Sequence, residues 1–198
     1  MNVERIAWLE PPWDSSRVQV CSTLRTGGVS RGAYRSLNLA AHVGDPADCV
    51  AENRRRLTSA AALPAEPLWL EQVHGPDVVV NEATGNIPRA DAAVTFEPGR
   101  VCVVMTADCL PVVLRDREGT RVAVAHAGWR GLAAGVLAQT VRALRCPPAE
   151  LLAWLGPAIS SAAFEVGTEV RAAFLARSAD FADCFRSALF GRKQRLRT

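Results

Sequence analysis

Two short apolar runs on either side of a compact polar segment constrain the fold of this chain more than any other sequence feature. Val112–Arg115 and Arg121–Ala125 flank Asp116–Thr120, which contains two acidic residues, a glycine and a threonine. That composition is typical of a β-hairpin loop, so the two runs are predicted to pair as antiparallel strands.

The rest of the chain alternates between short apolar runs and helical patterns. Further strands are predicted at Val18–Leu24, Pro67–Leu70, Asp77–Val80, Ala92–Thr95, Val101–Thr106 and Leu151–Leu155. Helices are predicted from Asp45, as N-cap, to about Ala62, from Gly131 to about Arg145, and around Val166, Val170 and Phe174. These elements indicate an α+β domain with mixed strands and helices packed on the sheet faces.

Composition excludes several classes of protein. The 198 residues are 49% hydrophobic and 22% charged, as in a single globular domain spanning 1–198. The longest uncharged apolar runs, such as Val101–Ala107, are far shorter than the roughly 20 residues of a membrane span.

The six cysteines are scattered and the start of the chain lacks a signal-peptide pattern, so we expect reduced thiols and a cytoplasmic location. A net charge of +3 does not favour nucleic-acid binding.

Three residues stand out as candidate metal ligands. His74, Cys109 and His126 each lie where an apolar strand ends at a glycine or proline break. Side chains at such strand ends can converge on a pocket. One thiolate and two imidazoles suit zinc, and three protein ligands leave a fourth position for water or substrate, as in catalytic zinc sites.

The hairpin register bears directly on this trio. A four-residue loop, Asp116–Gly119, pairs Arg115 with Thr120. In that register Cys109 lies directly opposite His126, with their Cβ atoms about 4.5–5.5 Å apart. A five-residue loop would turn the two side chains to opposite faces unless a bulge restored the register. Two other interpretations stay open: a buried cysteine with two hydrogen-bonded histidines, and a Cys–His nucleophile pair.

A series of short motifs follows along residues 18–175. They are Ser22-Thr23 with Arg25, Gly27-Gly28-Val29-Ser30, Ser36-Leu37-Asn38-Leu39, His42-Val43-Gly44-Asp45, Asn53-Arg54, Gln72-Val73-His74-Gly75, Ala90-Asp91-Ala92, Thr106-Ala107-Asp108-Cys109-Leu110-Pro111, His126-Ala127-Gly128-Trp129-Arg130-Gly131, Trp154-Leu155-Gly156-Pro157 and Phe164-Glu165-Val166-Gly167. In this order they resemble the laccase-domain proteins, also known as multicopper polyphenol oxidase-like proteins.

The resemblance implies a purine nucleoside phosphorylase acting on adenosine, inosine and methylthioadenosine, with an additional adenosine deaminase activity. It assigns zinc to His74, Cys109 and His126, and it implies a four-layer α/β/β/α fold with helices outside two sheets. Residues 185–198 depart from the family pattern as a basic tail. We therefore expect the C-terminal part of the family domain to be missing from this chain.

Further polar residues are assigned to substrate or to the reaction. Arg25, Arg54 and Arg130 are candidates for phosphate or base contacts, because each lies in a loop or at a helix start beside small residues. Asn38 and Gln72 offer amide groups suited to a ribose or base edge.

Two more residues complete the predicted site. Asp108, which adjoins Cys109, is expected to orient His126 or to carry a proton. The family motif alone assigns His42 to the pocket. Each assignment has a structural alternative: a solvated surface arginine, a turn-closing amide or a carboxylate that caps backbone N–H groups.

Three other functions compete with the nucleoside enzyme. A copper-dependent polyphenol oxidase would need several linked copper centres, for which three histidines are too few. The family also resembles the peptidoglycan-editing factor, which acts on a cell-wall precursor. An inactive binding protein is the remaining alternative. The partners expected for the enzyme are a purine nucleoside and phosphate, without nucleic acid or membrane, in a monomer or weak dimer.

Overall fold

A computed structural model describes residues 5–14, 16–81, 86–187 and 194–196 of the chain. Its strands and α-helices are β1 (Trp8–Leu9), β2 (Ser22–Thr23), α1 (Ala47–Ala60), β3 (Val78–Val80), β4 (Ala92–Thr95), β5 (Leu110–Asp116), β6 (Val122–Ala127), α2 (Trp129–Ala134), α3 (Val136–Ala143), β7 (Leu151–Leu155), β8 (Glu165–Val166), α4 (Thr168–Leu175), β9 (Phe185–Ser187) and β10 (Gln194–Leu196).

A five-stranded mixed sheet in the order β3-β4-β6-β5-β7 forms the centre of the structure. β3 and β4 run parallel, and the other neighbouring pairs run antiparallel. Helix α3 packs on one face, where its Val136 is buried against alternate residues of the strands: Ala92, Val94, Val112, Leu114, Ala123, Ala125 and Ala127. Because side chains alternate along a strand, the other face carries the remaining residues of β4, β5 and β6.

The predicted hairpin is confirmed, but its register differs from the expected one. The two strands extend to Leu110–Asp116 and Val122–Ala127, and Arg115 pairs with Val122 rather than with Thr120. Five residues, 117–121, lie between the strands, but the N–H of Asp116 donates to the carbonyl of Arg121, so the four residues 117–120 form the turn, one position later than predicted. Its start is fixed by the Asp116 carboxylate, which accepts hydrogen bonds from Thr120 and Arg121.

Several other elements agree with the sequence prediction. β4 and β7 have the predicted bounds, and β3 covers three of the four predicted residues. The last predicted helix begins at Thr168, because Val166 belongs to β8. The mixed α+β fold class is confirmed.

The helix predicted from Gly131 to Arg145 is interrupted. α2 starts earlier, at Trp129, and α3 ends at Ala143. Gly135 separates them with φ of 97°, a left-handed conformation that glycine adopts at little cost. The apolar periodicity runs through this glycine, so it gives no sign of the break.

Three predicted strands are shorter than expected or absent. In Val18–Leu24 only Ser22–Thr23 is a strand, because its partner β1 is two residues long. Pro67–Leu70 and Val101–Thr106 meet at a single bridge, Leu68 with Cys102.

Helix α1 also differs at its ends. It runs from Ala47 to Ala60, and no side chain caps its N-terminus. The carboxylate of Asp45, the predicted cap, instead accepts hydrogen bonds from Ser30 and Asn38.

Two smaller sheets accompany the central one in the described residues. β1 pairs with β2, and β8, β10 and β9 form a three-stranded sheet. The basic tail predicted at 185–198 contributes β9 and β10, while its residues 188–193 and 197–198 lie outside the described part. No helix in the described ranges is both long and apolar enough to cross a membrane.

Candidate metal centre and its cavity

The hairpin places Cys109 and His126 on the sheet face opposite α3. His126 pairs with Pro111, two residues after Cys109, so the cysteine and the histidine are diagonal neighbours rather than direct partners. The two-residue difference from the predicted register keeps both side chains on the same face, because an even shift preserves the alternation.

His74 completes the trio from the loop that precedes β3. One potential ligand atom from each of His74, Cys109 and His126 lies within 4.8 Å of the other two. The two imidazole rings meet edge to face, with centroids 4.6 Å apart and an interplanar angle of 79°. His126 is buried, Cys109 is half-buried and His74 is exposed, so the group is accessible from the His74 side.

Asp91 lies immediately behind the trio, just before β4. Its carboxylate is fully buried, and its Oδ1 is 2.8 Å from the Nδ1 atom of His126. The backbone N–H groups of Val73, His74 and Gly75 donate to the same carboxylate. Nδ1 of His126 is therefore occupied, and Nε2 is the nitrogen left for a metal ion.

The surroundings shift the pKa values of the Asp91 carboxyl and the Cys109 thiol in opposite directions. Burial alone would raise the pKa of Asp91, but the hydrogen bonds from His126 and the backbone lower it below its ordinary value. Burial raises the pKa of the Cys109 thiol, and neighbouring Asp108 raises it further. A Cys–His nucleophile pair requires a lowered thiol pKa, so these surroundings do not favour that interpretation.

Gly128 leaves room for the three side chains of the trio to lie close to the backbone. A Cβ atom built on Gly128 would lie 2.8 Å from Cδ2 of His74, 3.0 Å from Sγ of Cys109 and 3.6 Å from Cε1 of His126. The position therefore accepts only glycine if the three side chains keep their places.

The donor set fits a zinc ion. A soft cysteine sulfur and two imidazole nitrogens suit the borderline-soft zinc ion, and three protein ligands leave one coordination position open. The buried Asp91 supplies the outer hydrogen bond that zinc-bound histidines usually make. In the described part of the chain, the trio of His74, Cys109 and His126 is the cluster of His, Cys, Asp or Glu side chains close enough together to hold a metal ion.

The trio lies in the wall of a cavity of about 1120 Å³. The cavity runs along the open sheet face, between that face and the segments that contain Arg25 and Val101–Thr106. Its volume exceeds what a single drug-sized ligand usually occupies. A small molecule can therefore reach the trio from this cavity.

Five of the predicted polar residues also line this cavity: Arg25, Asn38, His42, Gln72 and Asp108. Two of them have their side chains engaged in the fold. Both ends of the Gln72 amide bond the backbone of Met105, at 2.8 and 2.7 Å. The Asn38 amide bonds the backbone of Ala40 and the carboxylate of Asp45. These amides fix the shape of the cavity wall.

The other three cavity residues present charged or titratable groups. Arg25 donates from Nε and Nη2 to the carbonyl of Arg35, at 2.9 and 2.6 Å. His42 and Asp108 are exposed on the wall. Asp108 lies against Cys109, and the hydrogen bond to His126 that was expected of it comes from Asp91 instead.

Two predicted contact residues, Arg54 and Arg130, do not line the cavity. Arg54 stacks on Trp69, with its Cζ atom 3.6 Å from the ring centroid, and donates twice to the carbonyl of Leu39. Arg130 is exposed and lies over the ring of Trp129 at 4.3 Å. Arg54 therefore holds the loop around Leu39 in place and is not a solvated surface arginine.

Sequence reasoning did not assign a role to Asp91 or Gly128, although both belong to motifs that it singled out. Asp91 lies directly across from His126 in the extension of the β4–β6 ladder, where its backbone oxygen accepts from the His126 N–H at 2.7 Å. The alternation of β4 and β6 would have revealed this pair, had the order of strands been known.

Comparisons with known proteins identify one family. A family model described as multi-copper polyphenol oxidoreductase laccase matches residues 19–196. The chain is 56% identical over 180 residues to a purine nucleoside phosphorylase of Pseudomonas aeruginosa, covering 90% of this chain and 73% of that protein. It is 55% identical over 179 residues to the purine nucleoside phosphorylase YfiH of Escherichia coli, covering 88% and 73%.

Solved structures show the same similarity. A Neisseria meningitidis protein superposes with a TM-score of 0.89 at 46% identity, covering 96% of this chain and 78% of that one. The protein YlmD of Geobacillus stearothermophilus superposes with a TM-score of 0.83 at 29% identity, covering 96% and 76%. Sequence and structure therefore point to one group of proteins.

Proposed function

Because this chain belongs to the multi-copper polyphenol oxidoreductase laccase family, we propose that it is a zinc-dependent purine nucleoside phosphorylase with adenosine deaminase activity. The observation that carries the proposal is the convergence of His74, Cys109 and His126 in the wall of a large cavity. The names of the two bacterial relatives supply the substrate class.

Phosphorolysis requires a binding site for the phosphate anion beside the ribose. A phosphate oxygen forms a bond to C1′ while the bond from C1′ to the base nitrogen breaks, and the base leaves with that electron pair and takes up a proton. Arg25 suits the phosphate, because its Nη1 group bonds no described residue while Nε and Nη2 are anchored on Arg35. When bound, zinc with an open coordination position supplies Lewis-acid chemistry.

Two exposed side chains on the cavity wall are suited to proton exchange. Asp108 lies beside Cys109, and His42 lines the same cavity. A carboxylate and an imidazole are common general acids and bases. We assign to them the delivery of a proton to the leaving base, or its removal from water in deamination.

The first experiment measures phosphorolysis. Purified protein given inosine and phosphate is expected to release hypoxanthine and ribose 1-phosphate, to lose activity on treatment with a chelator and to regain it with zinc. Cys109→Ala should lower kcat/KM at least about 100-fold, the upper end of the effects seen when the surroundings of a metal are changed.

Cys146→Ala is the matched control for this experiment, because Cys146 follows α3 and lies outside the cavity. Its kcat/KM should equal that of the wild type. Phosphorolysis that survives the Cys109 substitution unchanged would refute the proposed reaction centre.

Deamination is tested separately by ammonia release from adenosine in phosphate-free buffer, where phosphorolysis cannot proceed. Inosine should accumulate in step with ammonia. Ammonia release without zinc would contradict the zinc dependence.

A copper-dependent polyphenol oxidase is the second candidate, because the description of the family names that activity. The chain contains three histidines, two of which belong to the trio, so linked copper centres cannot be built from imidazoles. Metal analysis of protein purified without added metal distinguishes the two functions. We expect about one zinc per chain.

A further inference from the structure

Asp91 is a fully buried carboxylate that the proposed reaction does not use. Its Oδ1 accepts from Nδ1 of His126 and from the His74 N–H, at 2.8 and 2.9 Å. Its Oδ2 accepts from the N–H groups of Val73 and Gly75, at 3.0 and 2.7 Å. These four donors fill the acceptor capacity of a carboxylate, so Asp91 is not available as a metal ligand.

The first consequence concerns the ring of His126. An ionised carboxylate only accepts hydrogen bonds, so the proton of the neutral ring lies on Nδ1 and the lone pair lies on Nε2. The backbone of Asp91 adds a second tie, since its carbonyl accepts from the His126 N–H at 2.7 Å. Asp91 thus determines both the tautomer of the ring and its orientation.

The second consequence concerns His74. This residue has φ of 59°, in the left-handed region that non-glycine residues seldom adopt. Three successive N–H groups, from Val73 to Gly75, converge on the carboxylate and hold the loop in this conformation. The direction of the His74 side chain follows from that backbone conformation.

We propose that Asp91 is a positioning residue that orients both imidazole ligands of the metal ion, one through its ring and the other through its backbone. This inference rests on the proposed function, because it requires that the trio binds zinc. It goes further by naming the group that makes two distant parts of the chain into one binding site.

The variant Asp91→Asn tests this role, because it replaces one acceptor oxygen by an NH2 donor while keeping the size of the side chain. Whichever way the amide is turned, its NH2 group faces two donors: those of His74 and His126, or those of Val73 and Gly75. The first orientation removes the bonds of both His74 and His126, and the second removes two of the three bonds that hold the loop carrying His74. Asp116→Asn is the matched control, because Asp116 is also buried and also accepts four hydrogen bonds, at the loop end of the β5–β6 hairpin and away from His126.

The experiment measures zinc affinity by competition with a chromophoric chelator, using folded full-length protein of each variant. Asp91→Asn should bind zinc about 10–100-fold more weakly than the wild type, the usual cost of losing an outer hydrogen bond to a metal-bound histidine. Asp116→Asn should bind it as the wild type does. Equal affinity of Asp91→Asn and wild type would overturn this inference and leave the metal centre standing, whereas a wild type that binds no zinc would overturn both.

A measurement on the wild type covers the case in which Asp91→Asn does not fold. Ring ¹⁵N shifts of the zinc-loaded protein should show His126 with its proton on Nδ1 and the metal on Nε2. The opposite arrangement would contradict the inference, because Asp91 could not then accept from that ring.

Discussion

Two buried carboxylates at opposite ends of the β5–β6 hairpin each accept four hydrogen bonds, but they organise very different parts of the molecule. At the loop end, the oxygens of Asp116 accept from the backbone and side chains of Thr120 and Arg121. At the other end, Asp91 accepts from His126 and from the loop around His74.

The difference between the two lies in sequence distance. The donors to Asp116 are four or five residues away, so this carboxylate shapes a turn that forms locally. The donors to Asp91 are 16 to 35 residues away, on either side of it in the chain. The first carboxylate therefore stabilises a local element, while the second joins separate elements into a site.

Gly128→Ala is expected to have the largest effect, a loss of zinc affinity at the His126 end of the hairpin. The added methyl group would lie 2.8 Å from His74 and 3.0 Å from Cys109, too close for both side chains to keep their places. Zinc affinity should fall at least about 100-fold, at the upper end of outer-sphere effects. Gly167→Ala serves as control, because the exposed side chain of Glu169 can move away from the new methyl group.

Chelator competition measures the affinity, and thermal unfolding of the metal-free proteins measures the stability. If Gly128→Ala bound zinc as tightly as Gly167→Ala does, the ion would have to lie somewhere other than between the three side chains.

A smaller effect, on stability and not on metal binding, is expected from Asp116→Asn. Burial tends to raise the pKa of Asp116, but the hydrogen bonds from Thr120 and Arg121 lower it overall. A buried acceptor that loses its bonds costs about 1–3 kcal/mol, so the free energy of unfolding at pH 7 should fall by about that amount.

The pH dependence of that loss has a definite sign. Because the pKa of folded Asp116 is below the unfolded value of about 3.9, its stabilisation is complete above that value and disappears as the pH falls through the folded pKa. Urea unfolding of wild type and Asp116→Asn should therefore differ at pH 7 and converge in strong acid. A difference that persists unchanged in acid would show that the carboxylate charge is not the cause.

The sequence predicted the local part of this structure well. The hairpin follows from two apolar runs and a polar loop, and the error of two residues in its register came from the Asp116 bonds that move the loop by one position. Because the error was even, Cys109 and His126 were still predicted on one face. A local pattern was therefore enough to place these two ligands near each other.

The remainder of the site depends on long-range order that the sequence pattern does not contain. That β4 lies beside β6 follows from the packing of the whole sheet, and only this order places Asp91 across from His126. In the same way, the Gln72 amide takes the backbone groups of Met105, in a stretch where the sequence predicted a strand.

The most direct test of the account is X-ray absorption at the zinc edge on the zinc-loaded wild type. Ligation by Cys109, His74 and His126 predicts one sulfur at about 2.3 Å and nitrogen or oxygen atoms at about 2.0–2.1 Å in a four-coordinate shell. A first shell without sulfur would contradict the claim that these three side chains form the metal centre.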